Sequence, residues 1–253
     1  EQVANNQLHL LKSGTKTQKV LDRSGDNIRI DWGHVYFSAP KQNNVFSAIG
    51  KSTQVQKQFL ETGSLDNAYN PSSKGDLTEE LEALSIAHNL GQVGAKSTSG
   101  YVMLAYDDLY SIQYFGDNLR PYWNRKGNVT ILDQIQKATN EYSQLMKACA
   151  DFDAQLMKDA KAAGGKEYAE LCALAYRQAI SAHKLVETPN GDLAFLSKEN
   201  FSNGSIGTVD ITYPSAPLFL YYNPELAKGL MNHIFYYSES GKWKKPFPAH
   251  DVG

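Results

Sequence analysis

Apolar and polar residues alternate along several segments in the first half of the chain. Ile28, Ile30 and Trp32 fall on one side of an extended segment, with Arg29 and Asp31 on the other. Alternation with a period of two, carried by β-branched and aromatic residues, is typical of strands in an antiparallel sheet. The pattern predicts three strands, over residues 28–39, 81–93 and 102–110, and a short helix near residues 54–60.

The pattern changes to a helical period near residue 127. Thr130, followed three residues later by Asp133, is a capping-box signature that predicts the start of a helix. From Ile131 to Leu156, apolar residues recur at alternating spacings of four and three, which is typical of an amphipathic helix. We therefore predict one long helix of about 30 residues that ends at the glycines 164–165.

Two further helices are predicted after this one. The first covers residues 167–187 and is apolar on most sides, so we expect it to lie inside a helical layer. A turn at residues 190–191, Asn-Gly, is of the kind that hairpins prefer. The last helix has Asn223 as its N-cap and Pro224 at its first position, and it closes near Gly241. Three antiparallel helices with long loops are typical of part of a larger helical array.

The two patterns together predict a multidomain α+β fold. Residues 1–126 form a β-rich segment, and residues 127–253 form a helical segment. A chain of 253 residues is long enough for two ordinary domains. The chain begins without a Met and stops directly after the rigid aromatic and proline residues of 243–248. We interpret this as a truncation of a longer protein.

Composition excludes several classes of function. The formal net charge of -2 gives no electrostatic case for binding nucleic acid. No apolar run approaches the roughly 20 residues that a membrane span needs. The two cysteines, Cys149 and Cys172, cannot build a disulfide framework, and we expect both to be buried free thiols. The 15 Tyr, 10 Phe and 3 Trp favour a β-sandwich core or a cleft that stacks on a ligand.

Two loops contain the residues best suited to hydrolysis. Residues 197–217 combine Asn, Ser and Tyr with two carboxylates, a composition found in sites for polar small molecules or sugars. Residues 242–251 combine aromatic side chains with an adjacent His and Asp. Hydrolysis of an amide or a glycoside needs one group to activate water and another to protonate the leaving group. Both loops supply such groups.

Candidate catalytic residues are therefore Glu199, Asp210, Asp251 and His250, and candidate substrate-binding residues are Asn200, Asn203, Tyr213, Trp243 and Arg177. The alternative for Glu199 and Asp210 is that they cap loops or pair with lysines. The alternative for the His-Asp pair is an exposed loop end. The carboxylate pairs Asp107–Asp108 and Asp151–Asp153 lack a His or Cys partner at ligand spacing, and no metal or cofactor motif occurs, so neither a metal nor a cofactor is predicted.

Several longer segments, taken in order, carry a further signal: residues 29–33, 87–91, 105–112, 114–116, 119–125, 168–180, 197–203, 209–217 and 246–251. Together they resemble the glutaminase A family, which comprises secreted fungal glutaminases and their relatives in gut bacteria. The resemblance runs from about Arg23 to the last residue. So many long motifs in one order make it specific.

The resemblance implies the end of an antiparallel β-sandwich, followed by the first helices of an incomplete α/α toroid related to the six-hairpin glycosidases. It implies hydrolysis of L-glutamine to L-glutamate and ammonia, outside the cytoplasm. The implied partners are a small-molecule substrate, glutamine or a sugar, and the missing C-terminal part of the parent chain. Two alternatives stay open: a glycoside hydrolase or carbohydrate-binding protein, and a non-catalytic module of a larger secreted protein.

Overall fold

The computed structural model describes residues 1–23, 25, 30–69, 81–198 and 203–252. Helices and antiparallel sheets are both present, so the fold is α+β, as predicted. The chain divides into two compact units, Glu1–Gln18 with Trp32–Asp107 and Lys19–Asp31 with Asp108–Gly253. The boundary between residues 126 and 127 stays a prediction. In the part of the chain that is described, no helix is both long and apolar enough to cross a membrane.

The first unit consists of antiparallel strands and one helix: β1 (Leu8–Gly14), β2 (His34–Pro40), β3 (Val45–Lys51), α1 (Ser52–Thr62), β4 (Glu82–His88) and β5 (Met103–Asp107). Strand β2 lies between β1 and β5 in a three-stranded sheet, and β3 pairs with β4. The residues Ala48 of β3 and Ala87 of β4 pack with Val55 of α1 and with Leu65. Small side chains on the two strands allow this helix to pack closely against them.

The second unit begins with a small hairpin, followed by helices and a second hairpin: β6 (Ile112–Tyr114), β7 (Asp117–Leu119), a 3-10 helix (Tyr122–Asn124), α2 (Ile131–Asn140), α3 (Tyr142–Ser181), β8 (His183–Glu187), β9 (Leu193–Ser197), α4 (Val209–Tyr222) and α5 (Pro224–Glu239). All strand pairs in this unit are antiparallel. The described residues of this unit therefore combine two hairpins with four α-helices.

Strand β9 of the β8–β9 hairpin is buried on both faces and contributes to two core clusters of the second unit. On one face, Ala194 and Leu196 pack with Val186 and with residues of the β6–β7 hairpin. On the other, Phe195 packs with Phe219 of α4 and with α5. Side chains on a strand alternate between its faces, so β9 contributes to both clusters.

Helix α5 approaches β9 closely because a glycine lies at the contact. A Cβ atom at Gly229 would lie 2.7 Å from Leu193 Cδ2 and 3.1 Å from Phe195 Cβ. A glycine inside a helix costs about 1 kcal/mol relative to alanine, so this close approach accounts for a residue that is otherwise unfavourable there.

The strand predictions for the first half are confirmed at two positions and shortened at the third. Strands β4 and β5 fall inside the predicted 81–93 and 102–110, and α1 contains the predicted helix near 54–60. The first predicted strand, 28–39, begins only at His34 among the described residues, and residues 28 and 29 lie outside them. Strands β1 and β3 were not predicted, because their short apolar runs lack a clear alternation.

The predicted capping box is confirmed at the start of α2. The Thr130 side chain accepts from the Asp133 backbone, and the Asp133 carboxylate accepts from the Thr130 backbone. The single long helix is wrong, because α2 ends at Asn140 and α3 begins at Tyr142. The predicted end near residue 165 is confirmed, since Gly165 has a φ of 85° and a ψ of -173° and interrupts α3. This backbone conformation is open to glycine and strained for other residues.

The prediction for residues 167–187 is wrong in its last part. The helix stops at Ser181, and residues 183–187 form β8, which the predicted Asn-Gly turn joins to β9. Pairing with β9 places Val186 in the core and overrides the local helical pattern. The expected burial is also wrong, because Leu171 is 62% exposed and Leu174 is 51% exposed.

An unpredicted helix, α4, begins inside the loop predicted over residues 197–217 and continues to Tyr222. Pro214 and Pro217 lie inside it, and prolines usually end helices because they lack the backbone N–H. Ser215 Oγ donates to the carbonyl oxygens of Ile211 and Thr212, at 2.9 and 3.1 Å. The serine hydroxyl is thus bonded within the helix, to carbonyls of the preceding turn.

The prediction for the two cysteines also needs correction. Cys149 is exposed and Cys172 is half-buried, and both are free thiols. Both lie on α3, whose apolar surface is largely exposed in this chain. The helical patterns predicted that both cysteines lie on helices, but they could not show whether another element covers those helix faces.

Candidate functional site

Three of the predicted catalytic residues meet beside the start of α4. Asp210 lies in the first turn of this helix, and His250 and Asp251 lie in the segment after α5. The Val209 backbone N–H donates to the His250 carbonyl oxygen at 2.9 Å, and the Val252 N–H donates to Ile206 O at 2.9 Å. These two backbone bonds hold the segment of His250 beside the residues that lead into α4.

The imidazole of His250 lies between two carboxylates. Its Nδ1 is 2.7 Å from Asp251 Oδ2, and its Nε2 is 3.4 Å from Asp210 Oδ1. A neutral imidazole can donate from only one nitrogen, whereas the protonated ring can donate to both carboxylates. The side chains of Asp210 and His250 are 69% and 64% exposed, and that of Asp251 is 19% exposed. The arrangement therefore provides one accessible carboxylate, an accessible imidazole and a sheltered carboxylate that orients the ring.

Asn203 is connected to this group through a serine. The Ser205 backbone N–H donates to Asn203 Oδ1 at 2.8 Å, and Ser205 Oγ donates to Asp251 Oδ2 at 3.4 Å. The predicted substrate-binding residue Asn203 thus has a structural contact in the loop that contacts Asp251. Glu199 and Asn200 lie outside the described residues.

The remaining predicted residues lie on different elements. Tyr213 is 81% exposed on α4 and lies three positions after Asp210, on the same side of the helix. The Trp243 ring is 5.5 Å from that of Tyr237, and its Nε1 donates to Phe247 O at 2.5 Å. Arg177 is exposed on α3. The structure therefore assigns Trp243 to an aromatic group and Arg177 to an exposed helix face.

The loop before α4 is anchored to the core of the second unit. The Thr208 N–H donates to Ser197 Oγ at 3.0 Å, and the Gly207 N–H donates to Ser197 O at 2.8 Å. The fully buried His233 of α5 has its Nε2 3.3 Å from Gly207 O and its Nδ1 3.3 Å from Gly229 O. Burial lowers the pKa of His233, so its ring is neutral at physiological pH.

Comparison with known proteins gives matches along nearly the whole chain. Residues 1–159 match the family model described as "Domain of unknown function (DUF5127)", and residues 165–253 match "Glutaminase A six helical-hairpin domain". Glutaminase A of Aspergillus oryzae is 27% identical over 235 residues, which cover 88% of this chain. The chain is related to the glutaminase A family. Its residues 165–253 match the six helical-hairpin domain of that family.

A second relative supports the same family. The protein named "Probable glutaminase" of Arthroderma benhamiae is 28% identical to this chain over 251 residues, 94% of the chain. The matched regions make up 32% of the Aspergillus protein and 28% of the Arthroderma protein. The chain therefore spans less than a third of the length of either relative. No solved structure matches it.

Three residues that support the candidate site were not predicted: Ser205, Gly207 and His233. Ser205 contacts Asp251 across 46 positions of sequence, and His233 contacts Gly207 across 26. One signal was available for His233, because it follows Gly229 by four positions on the apolar face of α5. The contacts of Ser205 with Asp251 and of Gly207 with His233 join segments that are distant in sequence, so they depend on the tertiary path of the chain.

Proposed function

We propose that the parent protein of this chain hydrolyses the side-chain amide of L-glutamine to L-glutamate and ammonia. The names of the two relatives support a glutaminase-like function. The observation that carries the assignment to a site is the position of His250 between Asp210 and Asp251. Amide hydrolysis needs a base and an acid within reach of one substrate, and this group supplies both.

In the proposed reaction, Asp210 acts as the base. It accepts a proton from water while the water oxygen attacks the amide carbon, which gives a tetrahedral intermediate. Protonated His250 then donates a proton from Nε2 to the amide nitrogen as the carbon–nitrogen bond breaks, and ammonia leaves. The proton on Asp210 passes back to His250 across their 3.4 Å contact, which restores both groups. Asp251 holds the imidazole ring through Nδ1.

We further propose that the remainder of the parent chain covers this site. Asp210 and His250 are both more than 60% exposed, whereas catalytic groups act more strongly where water is excluded. In this proposal, the first unit belongs to a β-sandwich and the helices belong to an α/α toroid that further hairpins complete. The protein acts outside the cytoplasm, as the family resemblance implies. Its partners are glutamine or a sugar and the rest of its own chain.

The decisive experiment is ammonia release from L-glutamine by the full-length parent protein. We expect kcat/KM to fall by about 10²–10³-fold in Asp210→Asn and His250→Gln, which is typical of losing a general base or acid. Asp251→Asn should lower kcat more than it raises KM, because it changes the orientation of the imidazole rather than a substrate contact.

A matched control is Asp151→Asn, which removes an exposed carboxylate of α3 that pairs only with Lys147 among the described residues. This variant should retain full activity. Folded variants at Asp210 and His250 that release ammonia at the rate of the unmodified protein would refute the assignment. A folded parent that releases no ammonia would refute the glutaminase function itself.

A second candidate function is glycoside hydrolysis, and one observation favours it. Because Asp210 and Asp251 contact the two nitrogens of one imidazole, their nearest oxygens are at most about 8 Å apart, which does not exceed the roughly 10 Å upper limit for glycosidase acid pairs. Release of sugar from a panel of aryl glycosides, lost in Asp210→Asn, would support this alternative. A carbohydrate-binding protein or a non-catalytic module would release neither product.

A further inference from the structure

A cleft in the second unit lies where the tips of its two hairpins meet α5. Its walls are formed by Tyr114 and Asp117 of the β6–β7 hairpin, by the turn of residues 188–192, and by Asn232 and Tyr236 of α5. The cleft encloses about 410 Å³, with the solvent at its mouth included.

Both hairpin tips are tight turns of defined geometry. In the first, Phe115 and Gly116 have φ values of 50° and 107°, the left-handed conformations of a two-residue hairpin turn. In the second, the Thr188 N–H donates to Asp192 O at 2.9 Å, and the Asp192 N–H donates to Thr188 Oγ1 at 3.1 Å. The carboxylates of Asp117 and Asp192 therefore extend from fixed backbone positions.

The rest of the wall is equally well supported. Tyr114 is only 5% exposed and belongs to the cluster around Val186. Its ring lies 5.5 Å from that of Tyr236. The side-chain amide of Asn232 donates to Leu193 O at 2.8 Å, which fixes the amide plane beside the cleft. A site whose side chains are already ordered loses less entropy when a ligand binds.

The lining selects the chemistry of a ligand. It contains two carboxylates and no Lys, Arg or His, so it disfavours anions such as phosphate or the glutamate product. The carboxylates accept hydrogen bonds, and the Asn and Thr side chains both donate and accept them. Tyrosine rings supply an apolar surface beside these polar groups. A ligand that uses all of these groups has many hydroxyls and an apolar C–H face.

We propose that this cleft is a binding site for a neutral saccharide unit, separate from the Asp210–His250–Asp251 group and independent of the proposed glutaminase function. Vicinal hydroxyls of the sugar donate to Asp117 and Asp192, and Asn190 and Asn232 bind further hydroxyls. A bare metal ion would leave the tyrosine wall unused, and a small organic cation would leave the amides unused.

The state of Tyr114 agrees with this assignment. Burial, with smaller contributions from Tyr236 and Asp192, raises the pKa of Tyr114 to about 12. Its hydroxyl is therefore protonated at neutral pH, as that of an ordinary tyrosine is, and can act as a donor.

The test is a titration of the 253-residue chain with D-glucose, D-galactose, D-mannose and N-acetyl-D-glucosamine, followed by saturation-transfer NMR. We expect saturable binding of at least one sugar with a Kd of about 1 mM, typical of a single small polar ligand. Asp192→Ala and Asn190→Ala should each weaken it by about 10-fold or more. Both residues are exposed, so neither change should unfold the chain.

Two controls separate this site from the proposed catalytic group. Asp210→Asn should leave sugar binding unchanged. Asp151→Asn, which removes an exposed carboxylate of α3, should also leave the Kd for the sugar unchanged. Binding lost in Asp210→Asn but kept in Asp192→Ala would overturn the proposal, as would the absence of binding by every sugar. Saturable binding of tetramethylammonium or Ca²⁺ that displaces the sugar would also overturn the proposal, in favour of a cation site. Saturable binding of either cation by a chain that binds no sugar would do the same.

Discussion

At the position of Gly207, the backbone has a φ of 66° and lies against the imidazole of His233. A Cβ atom there would approach His233 Nε2 to 2.3 Å, a distance that forces the ring or the loop to move. His233 is fully buried and contacts carbonyls on both sides, so it has little room to shift. The geometry of the loop before α4 therefore depends on a glycine at this position.

Gly63 allows a matched test, because its φ is 67° and nothing lies within 4 Å of its missing Cβ. We expect Gly63→Ala to cost about 1 kcal/mol of unfolding free energy, the usual penalty of a left-handed alanine. Gly207→Ala should cost about 3 kcal/mol, because steric overlap adds to the same backbone penalty. Urea unfolding of both variants measures the difference. Equal costs would show that the loop of Gly207 adapts to the added methyl.

At the scale of elements, helix α3 has two environments along its length. Leu156 is 5% exposed, whereas Leu171, beyond the interruption at Gly165, is 62% exposed. Burial, rather than residue type or helix propensity, distinguishes these two leucines. The helical period identified both as members of apolar faces, yet Leu156 is buried and Leu171 is largely exposed.

Truncation of the two leucines should therefore have unequal effects. Leu156→Ala removes buried methyl groups and leaves a cavity, so we expect it to cost about 2–4 kcal/mol. Leu171→Ala should change the unfolding free energy by less than about 0.5 kcal/mol. Thermal and urea unfolding of the 253-residue chain check both values. A large cost for Leu171→Ala would indicate that its helix face is covered in solution.

At the scale of the whole molecule, buried histidines link stability to pH. Burial lowers the pKa of His9 in the first unit and of His183 and His233 in the second. Below the unfolded pKa of about 6.5, the unfolded chain binds protons that the folded chain does not. The unfolding free energy is therefore fully retained above that pH and decreases as the pH falls below it.

We expect the midpoint of urea unfolding to be lower at pH 5.5 than at pH 7.5. Carboxylates whose pKa is lowered by partners, such as Asp31 beside Arg23 and Glu187 beside Lys126, titrate at lower pH and contribute little in this window. His233→Gln should reduce the pH dependence as well as the stability. A midpoint that stays constant or rises toward pH 5.5 would contradict this account.

The amino-acid sequence by itself determined the features that depend on neighbouring residues. The capping box of Thr130 and Asp133, the interruption at Gly165, the Asn-Gly turn and the Pro224 start of α5 all follow from short-range geometry. The chemistry of Asp210, His250 and Asp251 also singled them out as candidates. These signals need no knowledge of distant parts of the chain.

Only the tertiary structure decided the features that depend on contacts between distant segments. Residues 183–187 became a strand because pairing with β9 buries Val186, and α4 accommodates two prolines within a packed unit. Likewise, His250 meets Asp210 across 40 positions because backbone bonds join the C-terminal segment to the residues before α4. Burial and pairing between distant segments outweigh local preferences of a few tenths of a kcal/mol per residue.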